Sequence, residues 1–76
     1  MIIDVYSSVS CIWCKRLIDK LDNAGYKYNV HYLGVDYTKE DLHLMIGDHV
    51  NTVPQVIIDE VHIGGHDDTV KHLGLI

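Results

Sequence analysis

The chain has 76 residues, 47% of them hydrophobic, and a formal charge of −5 at pH 7. That length makes a single domain over residues 1–76, burying on folding roughly 60% of the surface the unfolded chain exposes. From Asp36 onward only Lys39 and Lys71 answer the acids, a balance that argues against nucleic acid or an anionic membrane surface as partner.

In chain order, Ile2-Ile3-Asp4-Val5-Tyr6 is β-rich, ends at a serine-rich turn, and reads as a first strand. From Cys11 to about Ala24 the apolar residues Cys14, Leu17, Ile18 and Leu21 recur at helical spacing, with Ser10 as the expected N-cap and Gly25 as the stop. Tyr28 to Leu33 alternates apolar and polar residues and reads as a second strand. Thr38, with Asp41 three residues on, caps a second helix predicted to run to about His49, with Leu42, Met45 and Ile46 on one face. Val56-Ile57-Ile58 and Val61-His62-Ile63 flank an Asp59-Glu60 turn as a hairpin. Gly64-Gly65 ends it, and Asp67-Asp68 opens a short last helix with Val70 and Leu73 inward. The order βαβ then αββα predicts an α/β fold. Its first two strands should be parallel, its hairpin antiparallel, and helices should cover both faces of a small mixed sheet.

Met1-Ile2-Ile3-Asp4 lacks the basic and apolar regions of a secretion signal, and no apolar run approaches the ~20 residues of a membrane span. A cytoplasmic address is expected, where a Cys-x-x-Cys pair is more often catalytic or metal-binding than structural.

The stretch Cys11-Ile12-Trp13-Cys14 holds both cysteines. A zinc site normally takes four ligands, and the remaining candidates, His31, His43, His49, His62, His66 and His72, form no second close pair. A structural cross-link across so short a loop restrains little of the unfolded chain. Redox chemistry accounts for more. Residues three apart on a helix lie about 5–6 Å from one another, within disulfide reach. The first cysteine faces the positive end of the helix dipole, and Lys15 and Arg16 add charge, all favouring thiolate over thiol. Cys11 is thus the expected nucleophile, and Cys14, one turn deeper on the apolar stripe, the resolving thiol.

With "TVPQV" at Thr52 to Val56 and "IGGHDD" at Ile63 to Asp68, the chain resembles a dithiol glutaredoxin over nearly its whole length. The resemblance implies a thioredoxin fold, βαβαββα with a four-stranded mixed sheet. It also implies glutathione as electron donor with no tightly bound cofactor, a Cys11–Cys14 redox-active disulfide, and protein or glutathione-mixed disulfides as substrates. Ribonucleotide reductase is among the protein partners so implied, and a monomer is expected.

In that reading Pro54 is cis, and Thr52 and Val53 hold the cysteinyl part of glutathione through backbone groups. Gly64 and Gly65 let a ligand approach the backbone, while Asp67 and Asp68 receive the γ-glutamyl end at a helix N-terminus. His66 is expected to contribute a backbone contact, and Trp13 to wall the groove. Ile12 stands where many relatives have proline. Ser8 and Val50 stand where many have basic residues for the glycyl carboxylate, leaving His49, Lys15 and Arg16 as substitutes. The alternatives are a thioredoxin-like donor served by thioredoxin reductase, and an iron–sulfur or zinc module.

Overall fold

The structure, a computed structural model, describes residues 1–75. Its elements run β1 (Ile3–Ser7), α1 (Ile12–Asn23), β2 (Asn29–Tyr32), α2 (Lys39–Ile46), β3 (Gln55–Ile58), β4 (Val61–Gly64) and α3 (His66–Leu73). The sheet order is β2-β1-β3-β4, with β1 parallel to β2 and antiparallel to β3, and β3 antiparallel to β4. This is the expected βαβαββα mixed sheet. The helical crossover enforces the parallel pair, and a two-residue turn permits the antiparallel one. That turn has Asp59 at φ 48° and Glu60 at φ 70°, the two left-handed residues of a type I′ hairpin.

Alternation along β1 sorts the two faces of the sheet. Ile3, Val5 and Ser7 are buried on one face, while Asp4 and Tyr6 lie on the other. On the first face Ile3, Val5, Val56 and Ile58 pack against Leu17 and Leu21 of α1, with Val70 and Leu73 of α3 beside them. Each such buried aliphatic side chain contributes about 1.5–3 kcal/mol. On the second face Met45 of α2 shares a cavity with Asp4, Tyr6 and Ile57. Leu42 is buried, but Leu44 is 87% exposed, so α2 covers its face less completely.

Two helix boundaries differ from expectation. The second helix stops at Ile46 rather than near His49, because Gly47 takes φ 111° and its N–H closes the last turn on the His43 carbonyl. The cap of α1 is Cys11 and not Ser10. Cys11 is extended (φ −102°, ψ 111°), which aims its sulfur at the N–H of Cys14, whereas Ser10 lies one residue outside, in the preceding turn. At Thr38 the expected capping box is present in full: Asp41 N–H donates to the Thr38 hydroxyl at 3.1 Å, and Thr38 N–H to the Asp41 carboxylate at 2.9 Å.

Candidate active site

Cys11 is half-buried and Cys14 buried, and both are free thiols. The Cys11 sulfur accepts the Cys14 N–H at 3.2 Å and lies 3.5 Å from the Val53 carbonyl, to which its thiol donates. A sulfur therefore performs the capping usually left to a serine or aspartate oxygen, and it sits on the positive end of the α1 dipole. Burial, followed by the Cys11 neighbour, pushes the Cys14 thiol up to about 12. The inner sulfur is thus held as a thiol while the outer one rests against a backbone donor.

Neither of the two basic residues expected to serve Cys11 makes a contact with its sulfur. Lys15 reaches Asp19 on the exposed side of α1 at 3.4 Å, and the Arg16 guanidinium lies over the Trp13 ring at 4.7 Å. What touches the Cys11 sulfur is backbone: the Cys14 N–H and the Val53 carbonyl.

Beyond Val53 opens a groove of about 550 Å³. All eight residues expected around glutathione line it: Trp13, Thr52, Val53, Pro54, Gly65, His66, Asp67 and Asp68. The Val53–Pro54 bond is cis. Trp13 and His66 meet across the groove at 5.1 Å between ring centroids. The His66 ring, expected to be idle, is held on both sides. The Lys20 ammonium donates to its Nε2 at 2.7 Å, so the proton sits on Nδ1, which donates to Asp67 at 2.8 Å.

The groove also takes in the N-terminus of α3. Its N-cap is Gly65, which offers no side chain to the first-turn N–H groups. The buried Thr69 hydroxyl holds the Gly65 carbonyl at 2.8 Å, and Gly65 lies against the Pro54 carbonyl, where a Cβ would come to 3.3 Å. Gly64 has φ 131°, and the Asp68 side chain packs where its Cβ would stand.

Two lining residues were not singled out from sequence. Gln55, buried at the start of β3, donates its amide to the Thr52 carbonyl at 3.1 Å and to the Thr52 hydroxyl at 3.2 Å. His62 on β4 donates from Nε2 to the Gln55 side-chain oxygen at 2.8 Å. The relay fixes the loop before the cis proline from behind. A glutamine directly after Pro54 was the available signal; its partner on the neighbouring strand was not readable without the register. No lysine or arginine lines the groove among the described residues, and the histidines there are His62 and His66 rather than His49.

The glutaredoxin family model matches residues 3–63. The chain belongs to the glutaredoxin family. It is 40% identical over 76 residues to a glutaredoxin of Vibrio cholerae, covering 90% of this chain and 85% of the relative. Among solved structures it is similar to reduced Escherichia coli glutaredoxin, with a TM-score of 0.74 and 33% identity over 97% of this chain and 94% of the other. It is similar also to a buckwheat glutaredoxin in complex with glutathione, with a TM-score of 0.71 and 28% identity over 95% and 68%. A glutaredoxin with a Cys-x-x-Cys pair is a thiol-disulfide oxidoreductase, and the thioredoxin fold expected from the motifs is the one found. In this glutaredoxin no group of three His, Cys, Asp or Glu side chains is placed to hold a metal ion, among the described residues.

Proposed function

We propose that this glutaredoxin is a glutathione-dependent dithiol oxidoreductase, with Cys11 as nucleophile and Cys14 as resolving thiol. The observation that carries the reading is the Cys11 sulfur seated between the Cys14 N–H and the carbonyl of Val53, a residue that also lines a groove taking in the uncapped N-terminus of α3. The Cys11 thiolate attacks a substrate disulfide in line. A new bond forms to one substrate sulfur, and the other leaves as thiolate and takes a proton. Cys14 then attacks the Cys11 sulfur, closing the ring and releasing the second substrate thiol. The protein is oxidised by two electrons, and glutathione returns them as two thiols become one disulfide.

In the groove the Val53 backbone pairs with the cysteinyl part of glutathione. The first-turn N–H groups of α3 receive the γ-glutamyl carboxylate, and Asp67 or Asp68 its ammonium. The related buckwheat protein was solved as a glutathione complex, which supports the assignment. Protein disulfides are the second substrate class, ribonucleotide reductase among them on family grounds, with the protein acting as a monomer in the cytoplasm.

The test is reduction of a glutathione-mixed disulfide, coupled through glutathione and glutathione reductase to NADPH. Cys11→Ser should lose the activity, and Cys14→Ser should keep turnover on the mixed disulfide while losing it on protein disulfides. Full activity in Cys11→Ser would sink the mechanism. Turnover with thioredoxin reductase and none with glutathione would transfer the reading to a thioredoxin-like donor, which the absence of lysine and arginine from the groove lining favours.

A further inference from the structure

Ser7 ends β1 with its side chain on the Ile3 and Val5 face, the face that α1 covers with Cys14, Leu17 and Leu21. The residue is fully buried, and its hydroxyl is the buried side-chain oxygen left without a hydrogen-bond partner among the described residues. Its main-chain carbonyl is doubly engaged, accepting the Leu33 N–H and the Tyr37 hydroxyl, each at 2.9 Å. The strand end is therefore held in place, and Ser7 lines a cavity of about 250 Å³ together with Ser8, Cys11 and Cys14. A buried O–H with no acceptor is destabilising, and an acceptor that forms beside it offsets that cost.

We propose that Ser7 is a positioning residue for ring closure, its hydroxyl donating to the Cys14 sulfur when that sulfur becomes the attacking thiolate. The inference rests on the reading of Cys14 as the resolving thiol. Burial and Cys11 disfavour the Cys14 anion, while the Ser8 N–H and the Ser7 hydroxyl favour it. Once Cys11 is held in a mixed disulfide it carries neither charge nor proton, so burial alone opposes the anion and the two serine donors offset it. The other titratable groups around the sulfur are Tyr37, with Lys15, Asp19 and Tyr32 on the cavity wall. Ser7 takes no proton in the step. The Cys14 proton leaves to solvent through the cavity, the Cys14–Cys11 S–S bond forms, the bond from Cys11 to substrate breaks, and the departing thiolate is protonated from water.

The experiment uses the reduced full chain and an aromatic disulfide whose released thiolate absorbs in the visible. Attack by Cys11 gives the first release and closure by Cys14 the second, each followed against pH by stopped flow. Ser7→Ala should leave the first release unchanged, slow the second about tenfold at neutral pH, and displace its pH profile upward by about one unit, as expected for loss of a hydrogen bond to an anion. Ser7→Gly should behave the same way, and Ser7→Thr, which keeps the hydroxyl, should restore the rate. An unchanged second release in Ser7→Ala overturns the proposal, as does equal slowing in Ser7→Ala and Ser7→Thr, which would mark a packing effect. The Cys14→Ser chain is the separate control. A second release from it would overturn the assignment of Cys14 instead.

Discussion

Two helix N-termini converge on this site, and they are finished in opposite ways. The start of α1 is closed by the Cys11 sulfur, which accepts the Cys14 N–H, whereas the start of α3 is left open by Gly65. Both ends carry the same partial positive charge and the same unpaired N–H groups. At α1 they meet a sulfur supplied by the chain, the proposed nucleophile, and at α3 no side chain of the cap residue occupies them. The contrast accounts for Lys15 and Arg16 pairing with groups other than the sulfur, since the Cys14 N–H donates to it. On the proposed reading it also explains the glycine at the second end, which leaves the backbone open to the γ-glutamyl carboxylate.

The largest expected effect lies at the closed end. With its thiol pushed up to about 12, Cys14 should resist alkylation at neutral pH while Cys11 reacts, and its reactivity should climb about tenfold per pH unit toward that value. Cys11→Ser removes the influence of its neighbour, so Cys14 should then titrate lower, burial still holding it above an ordinary thiol. Differential alkylation read by mass spectrometry checks both; equal labelling of the two thiols at neutral pH would erase the contrast.

The same shift sets a stability window. A group whose pKa is raised on folding stabilises the fold fully below its unfolded value and loses that contribution as pH climbs to the folded one. For Cys14 the loss runs from about 8.5 to about 12, and for Tyr37, raised to about 12 mainly by burial, from about 10 upward. Denaturant unfolding should therefore show stability falling with pH in the alkaline range, and a flat profile there would contradict the burial of both groups.

At the open end the sharpest perturbation is Gly64→Ala. The position has φ 131°, and its new Cβ would meet the Asp68 side chain, so both backbone strain and displacement of the carboxylate follow. A destabilisation of about 1–3 kcal/mol is expected from the backbone conformation, with a rise in KM for glutathione. Thermal unfolding and steady-state kinetics test it. Unchanged KM would mean that Asp68 does not shape the α3 end.

The two ends were not equally legible in the amino-acid sequence. Cys-x-x-Cys, Thr-Val-Pro and Gly-Gly-x-Asp-Asp announce themselves by residue type and spacing, and the structure lines one groove with Trp13 and the two later motifs while Cys11 touches the groove's Val53. What escaped was whatever depends on a partner distant in sequence or on a rule of thumb about atoms. Ser10 looked like the better cap because oxygen caps outnumber sulfur caps, but the extended backbone at Cys11 put the sulfur in reach first. Ser7 read as a turn former, since nothing in a serine at a strand end reveals that a helix one layer away brings Cys14 to the same cavity. Lys15 and Arg16 are adjacent to Cys14 in sequence, yet the helix turns them toward Asp19 and Trp13.

Between the two ends lies the Gln55 relay, and it gives the smallest effect. His62 reaches Gln55 across β3 and β4 where the register slips between Val56 and Ile57, so the pair could not be assigned from strand alternation alone. Gln55 gives two hydrogen bonds to Thr52, holding the loop that presents Val53 to the sulfur and to the groove. Gln55→Leu keeps much of the buried volume and removes those bonds. Net hydrogen bonds of this kind contribute about 0.5–1.5 kcal/mol each, so KM for glutathione should rise several-fold. The alkylation rate of Cys11 should hold, because the Cys14 N–H that caps the sulfur belongs to α1 and is untouched. Loss of Cys11 reactivity together with glutathione affinity would show that the loop and the helix end act as one unit, and that the division between a chemical end and a binding end is drawn in the wrong place.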